Sequence, residues 1–133
     1  MDRESFHKKL ISPLRGAMYD FSESEVLKQL DKLLEQECAV RLCYPLGEIV
    51  GGEKLYNDLY KPLYKALPDL ERRDNIVIAG STQEGADWVG CCGYYTGTFK
   101  EAWLDIPPTG HQVVMRFHEF YCFEENRVTE VQA

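Results

Sequence analysis

The sequence predicts an α+β fold in which helices lead and a meandering antiparallel sheet follows. Three observations carry that expectation. Apolar residues recur at helical spacing between Val26 and Leu67. From Leu70 onward they alternate at period two instead. The alternating runs are separated by short turn segments, among them Ser81–Asp87, Pro107–Gly110 and Glu124–Asn126.

The first twenty residues read as a polar-leading arm, with Ser12 and Pro13 offering the N-cap and first turn of a short helix. A second helix start is marked more fully. Ser22 and Glu25 have the spacing of a capping box, and Phe21 and Val26 that of a hydrophobic staple. Val26, Leu27, Leu30, Leu33 and Leu34 then form one apolar stripe, which Glu35, Gln36 and Glu37 end. Cys38, Val40 and Leu42 alternate as a strand, and Pro45–Gly52 reads as a loop. The next helix, from about Glu53 to Leu67, carries a leucine column (Leu55, Leu59, Leu63, Leu67) beside a tyrosine column (Tyr56, Tyr60, Tyr64). Pro62 inside it is expected to interrupt the hydrogen-bond ladder. The tyrosines read first as amphipathic packing, with the lining of a ligand cavity as the alternative. Leu70–Ala79, Trp88–Phe99, Gln112–Phe123 and Arg127–Gln132 are the expected strands. The division expected is an arm over residues 1–20 and one domain over 21–133.

The chain has 133 residues, 44% of them hydrophobic and 28% charged, which suits one soluble globular domain with a genuine core. The net charge of −7 and the lack of a basic stripe disfavour nucleic acid and anionic membranes as partners. A start of M-D-R-E without a following apolar stretch leads to the expectation of a cytoplasmic protein. Five cysteines (Cys38, Cys43, Cys91, Cys92, Cys122) form no C-x-x-C pair, and His7, His111 and His118 have no ligand spacing. Free thiols and a metal-free, cofactor-free protein are therefore expected.

One residue breaks its surroundings. Val113, Met115, Phe117, Tyr121 and Phe123 share one face of a strand, and the only polar residue in that row is Glu119. A carboxylate that loses hydration among apolar neighbours has its charged form disfavoured and its pKa raised, which prepares it for general acid–base work. Two other readings compete: a buried Arg or Lys pairs with it, or the strand lies at an edge and Glu119 reaches water. The opposite face, with Arg116, His118 and Phe120 beside apolar neighbours, is suited to burial in a homodimer.

A-L-P-D-L at Ala66–Leu70, G-T…W-L…I-P-P-T-G at Gly97–Gly110 and F-H-E-F-Y-C-F-E-E-N-R-V-T-E at Phe117–Glu130 give the chain a family resemblance. From about Tyr19 to Ala133 it resembles the SnoaL-like polyketide cyclases, within the nuclear-transport-factor-2-like (cystatin-like) fold. The resemblance implies helices packed on a curved, mainly antiparallel sheet that forms a cone with an internal pocket, usually in a dimer. It also implies ring closure by intramolecular aldol condensation without metal or cofactor, with Glu119 in the place of the acidic general acid/base. The chain departs from the family pattern at Phe99, where a histidine is frequent, at Asp105, where a glycine is, and at Glu119, where Asp is more frequent. Relatives usually continue past Val131-Gln132-Ala133, so a shortened C-terminus is expected.

The function expected from these readings is a cofactor-free polyketide cyclase or isomerase that abstracts a proton next to a carbonyl. Glu119 is its base, and Tyr95, Phe99, Trp103, Met115, Phe117 and Tyr121 line the substrate site. The partner is a small apolar or aromatic carbonyl compound. Tyr95, Trp103 and His118 are the candidate enolate-stabilising donors, although alternation points His118 to the other face. The rival readings are a non-catalytic module that binds a small hydrophobic ligand, and a purely structural dimerisation domain whose cavity is filled by side chains.

Overall fold

A computed structural model describes residues 2–133. Its helices are α1 (Arg3–Tyr19) and α2 (Glu23–Leu33), followed after two strands by a rod made of α3 (Gly52–Leu55), a π turn (Tyr56–Tyr60) and α4 (Lys61–Ala66). The strands are β1 (Leu34–Arg41), β2 (Glu48–Val50), β3 (Glu71–Ser81), β4 (Asp87–Thr98), β5 (Gln112–Glu124) and β6 (Arg127–Gln132). They form one six-stranded sheet in the order β2-β1-β6-β5-β4-β3. Only β1 and β6 run parallel; every other pair is antiparallel. The α+β class agrees with the sequence reading, and so do β3, β4, β5 and β6 to within two residues at each end. No helix among the described residues is long and apolar enough to cross a membrane.

The N-terminal arm differs from expectation. Instead of a short helix starting at Ser12 and Pro13, one helix begins at Arg3, with the Asp2 carboxylate accepting the Ser5 amide at 2.8 Å as its N-cap. Pro13 sits inside it and removes one ladder bond. The helix persists because His7, Ile11, Leu14 and Met18, at helical spacing, are all buried. His7 stacks on Phe123 with ring centroids 4.4 Å apart, and its Nε2 lies 3.1 Å from the Glu125 carbonyl. That contact fastens α1 to the β5–β6 turn, where Glu125 adopts a left-handed φ of 58°.

Ser22 is the N-cap of α2 but its hydroxyl caps nothing, and Glu25 instead accepts a hydrogen bond from Gln29 at 2.8 Å. The Phe21 ring stacks on Tyr64 at 4.3 Å. Leu34 leads from α2 directly into β1, so Glu35, Gln36 and Glu37 belong to a strand. Arg127 secures this junction by donating to the Asp31 carbonyl at 2.8 Å and to that of Leu34. The stretch expected as a loop, Pro45–Gly52, holds the short β2, which pairs along the free edge of β1.

Pro62 acts as the sequence predicts, but one turn earlier. It cannot donate to the carbonyl four residues back, and the turn before it widens so that the Lys61 amide bonds the Tyr56 carbonyl. Tyr56, Leu59 and Tyr60 are all buried in that widened turn. The inner face of the sheet meets the helices across a core that includes Leu30, Leu63, Val89, Tyr95, Phe117 and Tyr121. The outer face leaves Ile76, Ile78, Val114 and Phe120 exposed.

Candidate active site

Glu119 occupies the middle of β5 on the inner face, as the alternation predicts, and is 2% exposed. It is not alone there. Oε1 accepts from Arg72 Nη1 at 3.0 Å, from the Tyr60 hydroxyl at 3.1 Å and from the Tyr121 hydroxyl at 2.5 Å. Oε2 accepts from the Tyr95 hydroxyl. The apolar row therefore conceals a polar cluster contributed by β3, β4, β5 and the π turn. Of the competing readings, the buried partner is the one found, and the partner is Arg72.

Arg72 projects inward from β3 with a wholly buried side chain. It donates through Nε and Nη2 to the Asp74 carboxylate at 3.1–3.2 Å, and its guanidinium lies 4.4 Å from the centre of the Phe117 ring. Asp74 in turn lies 3.1 Å from Arg15 of α1. Two carboxylates and two guanidinium groups thus alternate from Glu119 out to the helix surface. Arg72 and Asp74 can both face inward, together with Val77 and Ala79, because β3 bulges between Asp74 and Ile76. Gly93 on β4 makes room for that bulge, since a Cβ there would overlap the Arg73 carbonyl.

The electrostatics follow from burial. Burial and then the Glu119 charge push Tyr60, Tyr95 and Tyr121 above the ordinary tyrosine value, so all three stay protonated donors. Burial alone would lower Arg72, but Glu119 and the tyrosines outweigh it and hold the guanidinium charged. Desolvation also raises Cys38 to about 12 and Cys91 to about 11 from 9.0. Each of these acids has a folded-state pKa above its unfolded value. Their contribution to stability is complete below about pH 9 and is lost as pH rises through the thiol and then the tyrosine range. We expect a flat stability profile to pH 9 and a cooperative alkaline unfolding above it. Tyrosinate absorbance from the buried tyrosines should appear together with the loss of near-UV dichroism. Buried tyrosines that ionise well before unfolding would contradict the cluster.

The other expected residues divide into two groups. Tyr95 packs on Phe117 with ring centroids 4.7 Å apart, and Met115 is its cross-strand neighbour, partly buried. Phe99 and Trp103 lie beyond the end of β4. Phe99 is buried and joined through its backbone to Gly110 and His111. Trp103 is half-buried, with an indole Nε1 that has no partner among the described residues. Neither makes a hydrogen bond to Glu119. Leu104 and Asp105 turn the chain there with φ of 49° and 64°, which accounts for glycine as the family habit at Asp105. His118 faces outward, opposite Cys92.

Tyr60, Arg72 and Asp74 were not singled out by the sequence reading. The tyrosine column was the available signal for the first. For the other two it was an Arg-x-Asp at the start of a strand.

Two surface clefts accompany the site. One, of about 480 Å³, lies between α1 and β3, and the other, of about 1250 Å³, lies among α2, β2 and α3. Glu119 lines neither. Among the described residues, no three His, Cys, Asp or Glu side chains are grouped to hold a metal ion.

Known proteins give the arrangement a family. Solved structures match along nearly the whole chain. A proposed SnoaL-like polyketide cyclase of Jannaschia sp. CCS1 is 18% identical with a TM-score of 0.79, over 99% of this chain and 88% of its own. AclR of Streptomyces galilaeus, proposed to be a hydroxylase, is 19% identical with a TM-score of 0.75, over 97% of this chain and 74% of its own. A SnoaL-like polyketide cyclase of Agrobacterium tumefaciens strain C58 is 18% identical with a TM-score of 0.68, over 94% and 87%. At such identities the likeness concerns the fold, and it is the cone fold of the nuclear-transport-factor-2-like proteins. No curated protein matches the chain in sequence. The family pattern of the SnoaL-like polyketide cyclases matches residues 13–133, so the chain belongs to that family.

Proposed function

We propose that the chain is a small-molecule enzyme of the polyketide cyclase or isomerase type, with Glu119 as the base that removes a proton next to a carbonyl. The observation that carries this reading is the asymmetry of the carboxylate. Oε1 holds three donors, whereas Oε2 holds only the Tyr95 hydroxyl. A carboxylate oxygen offers two in-plane lone pairs, so Oε2 keeps one free to accept a proton. The α C–H bond breaks, its electron pair moves into an enolate, and the proton passes to Oε2. Tyr95, on the same oxygen, turns its hydroxyl to the developing enolate. In an aldol closure the enolate carbon then attacks a second carbonyl, and the new alkoxide takes the proton back. Arg72, Tyr60 and Tyr121 fix the carboxylate throughout.

Exchange of α-protons tests this. An aromatic 1,3-diketone in heavy water should lose its α-proton signal faster with the protein than in buffer. Tyr95→Phe should slow that exchange about 100-fold, the usual loss for one enolate donor. Exchange no faster than buffer across a panel of such diketones would leave the non-catalytic ligand-binding reading. That second reading draws support from the two clefts, neither of which is lined by Glu119.

The functional unit we propose is a homodimer. Ile76, Ile78, Val114 and Phe120 stand on the outer face with no helix over them. The Phe120 ring packs over Gly90, where a Cβ would lie 2.7 Å from it, and beside Ile78 it forms an apolar patch next to Arg116 and His118. Sedimentation equilibrium should give twice the mass of 15.4 kDa. A Val114→Lys variant should give the single mass. Wild-type protein that is monomeric at micromolar concentration would refute the dimer.

A further inference from the structure

The cleft between α1 and β3 stands apart from the interior site, with Arg72 as the wall between them. Its volume of about 480 Å³ is bordered by Arg15, Gly16 and Tyr19 from the helix and by Arg73, Asp74 and Asn75 from the strand. Volumes of roughly 300–1,000 Å³ are usual for small-molecule sites. Three features of the cleft are unexplained by packing. The first is Arg15, whose buried Nε has no hydrogen-bond partner among the described residues although Asp74 is 3.1 Å away. The Asp74 carboxylate balances its charge but makes no aligned hydrogen bond to it, which leaves a buried donor able to take a further acceptor. The second is the β3 bulge, which leaves Asn75 without a partner in the ladder and at the cleft. The third is Gly16. Glycine inside a helix costs about 0.5–1 kcal/mol relative to alanine, yet at Gly16, in the last turn of α1, a Cβ would meet nothing within 4 Å. No neighbour requires a glycine there. Its place is on the lining of the cleft.

We propose that this cleft is a binding site for the carboxylate end of a small molecule. Guanidinium groups bind carboxylates through parallel N–H donors. Arg72 is committed to Glu119 and Asp74, so Arg15 and Arg73 supply the donors. Arg73 is 60% exposed and, among the described residues, is paired through its Nε with Glu71 alone. The Ser12 hydroxyl and the Asn75 amide complete the polar rim, and the Tyr19 ring offers an apolar face to the rest of the ligand. Asp74 lies inside the cleft and is already shared between two guanidinium groups, so it does not repel an incoming carboxylate as a free acid would. The site is independent of any chemistry at Glu119.

Benzoate and benzamide, alike in shape and different in charge, are the probes, followed by chemical-shift titration. Benzoate should saturate in the millimolar range and move the amides of Arg15, Gly16, Arg73 and Asn75. Benzamide should bind at least about tenfold more weakly, the difference expected for charge-assisted hydrogen bonds. Gly16→Leu, whose Cβ meets no protein atom within 4 Å, should abolish the titration while leaving the melting temperature unchanged or raised. Arg73→Gln, at an exposed position, should weaken it about tenfold without unfolding. Equal binding of the two probes, saturation that survives Gly16→Leu, or no saturation at all would each overturn the proposal. The readout is binding alone, so its failure says nothing of catalysis.

Discussion

Glu119→Gln is expected to lower the unfolding free energy by about 3 kcal/mol or more, the range measured when one partner of a buried ion pair is removed. The substitution keeps shape and removes charge, and the loss comes from what remains. Arg72 is wholly buried, and its Nη1 would face a neutral amide. The amide also has one donor end. Three of the four groups around the carboxylate crowd Oε1, and the fourth, Tyr95, donates to Oε2. With its NH₂ at the Oε1 position the amide meets the Arg72 donor, and with it at the Oε2 position the Tyr95 hydroxyl must turn from donor to acceptor. Asp74 still holds the other side of Arg72, which keeps the loss near the lower end. Against a total stability of about 5–15 kcal/mol, such a change is large. Urea melts at pH 7 measure it. The double variant Arg72→Met/Glu119→Met should lose less than the sum of its singles, because no charge is stranded. A Gln variant as stable as wild type would mean that Arg72 does not depend on Glu119. The same substitution should also end α-proton exchange. The decisive comparison for catalysis is therefore Tyr95→Phe, which strands no charge.

How far the sequence reached is clear at Glu119 itself. Period-two spacing from Val113 to Phe123 placed it inside, and it is inside. The spacing could not supply its partner, because an apolar row on one strand carries no information about what faces it from other elements. Arg72 was hidden by a phase change. Counting back by twos from Val77, which is partly buried, puts Arg73 and Asn75 inside. Only the bulge between Asp74 and Ile76 reverses this and brings Arg72 and Asp74 in. A one-residue bulge leaves no periodic trace, and its mark in the sequence is on the neighbouring strand, at Gly93. Tyr60 was visible as part of a column, but its reach to Glu119 depends on the π turn ahead of Pro62. In the sequence Pro13 marks a helix start, whereas in the structure a buried stripe from His7 to Met18 carries α1 through it. The boundaries of β3, β4, β5 and β6, by contrast, are legible, since turn residues and alternation agree there.

Gly93→Ala is expected to destabilise the protein by about 3 kcal/mol or more, at or above the upper end of ordinary overpacking. Most overpacked positions relieve strain by moving a side chain. Here the obstacle is backbone: the new methyl would run into the Arg73 carbonyl and press on the Asp74 Cα. β3 would have to withdraw from β4 where their register shifts, between Asp74 and Ile76. Asp74 and Arg72 would move with it, so the pair that holds Glu119 would loosen too. The change should therefore lower stability and also release the buried tyrosines, which would ionise at lower pH than in wild type. Gly80→Ala is the control. It lies on the same sheet, opposite Trp88, and a Cβ there meets nothing within 4 Å. Its effect should stay within about 0.5 kcal/mol, with any gain coming from a less flexible unfolded chain. Equal urea midpoints for the two alanine variants would show that β3 does not bulge against Gly93, and the inward path of Arg72 would have to be redrawn.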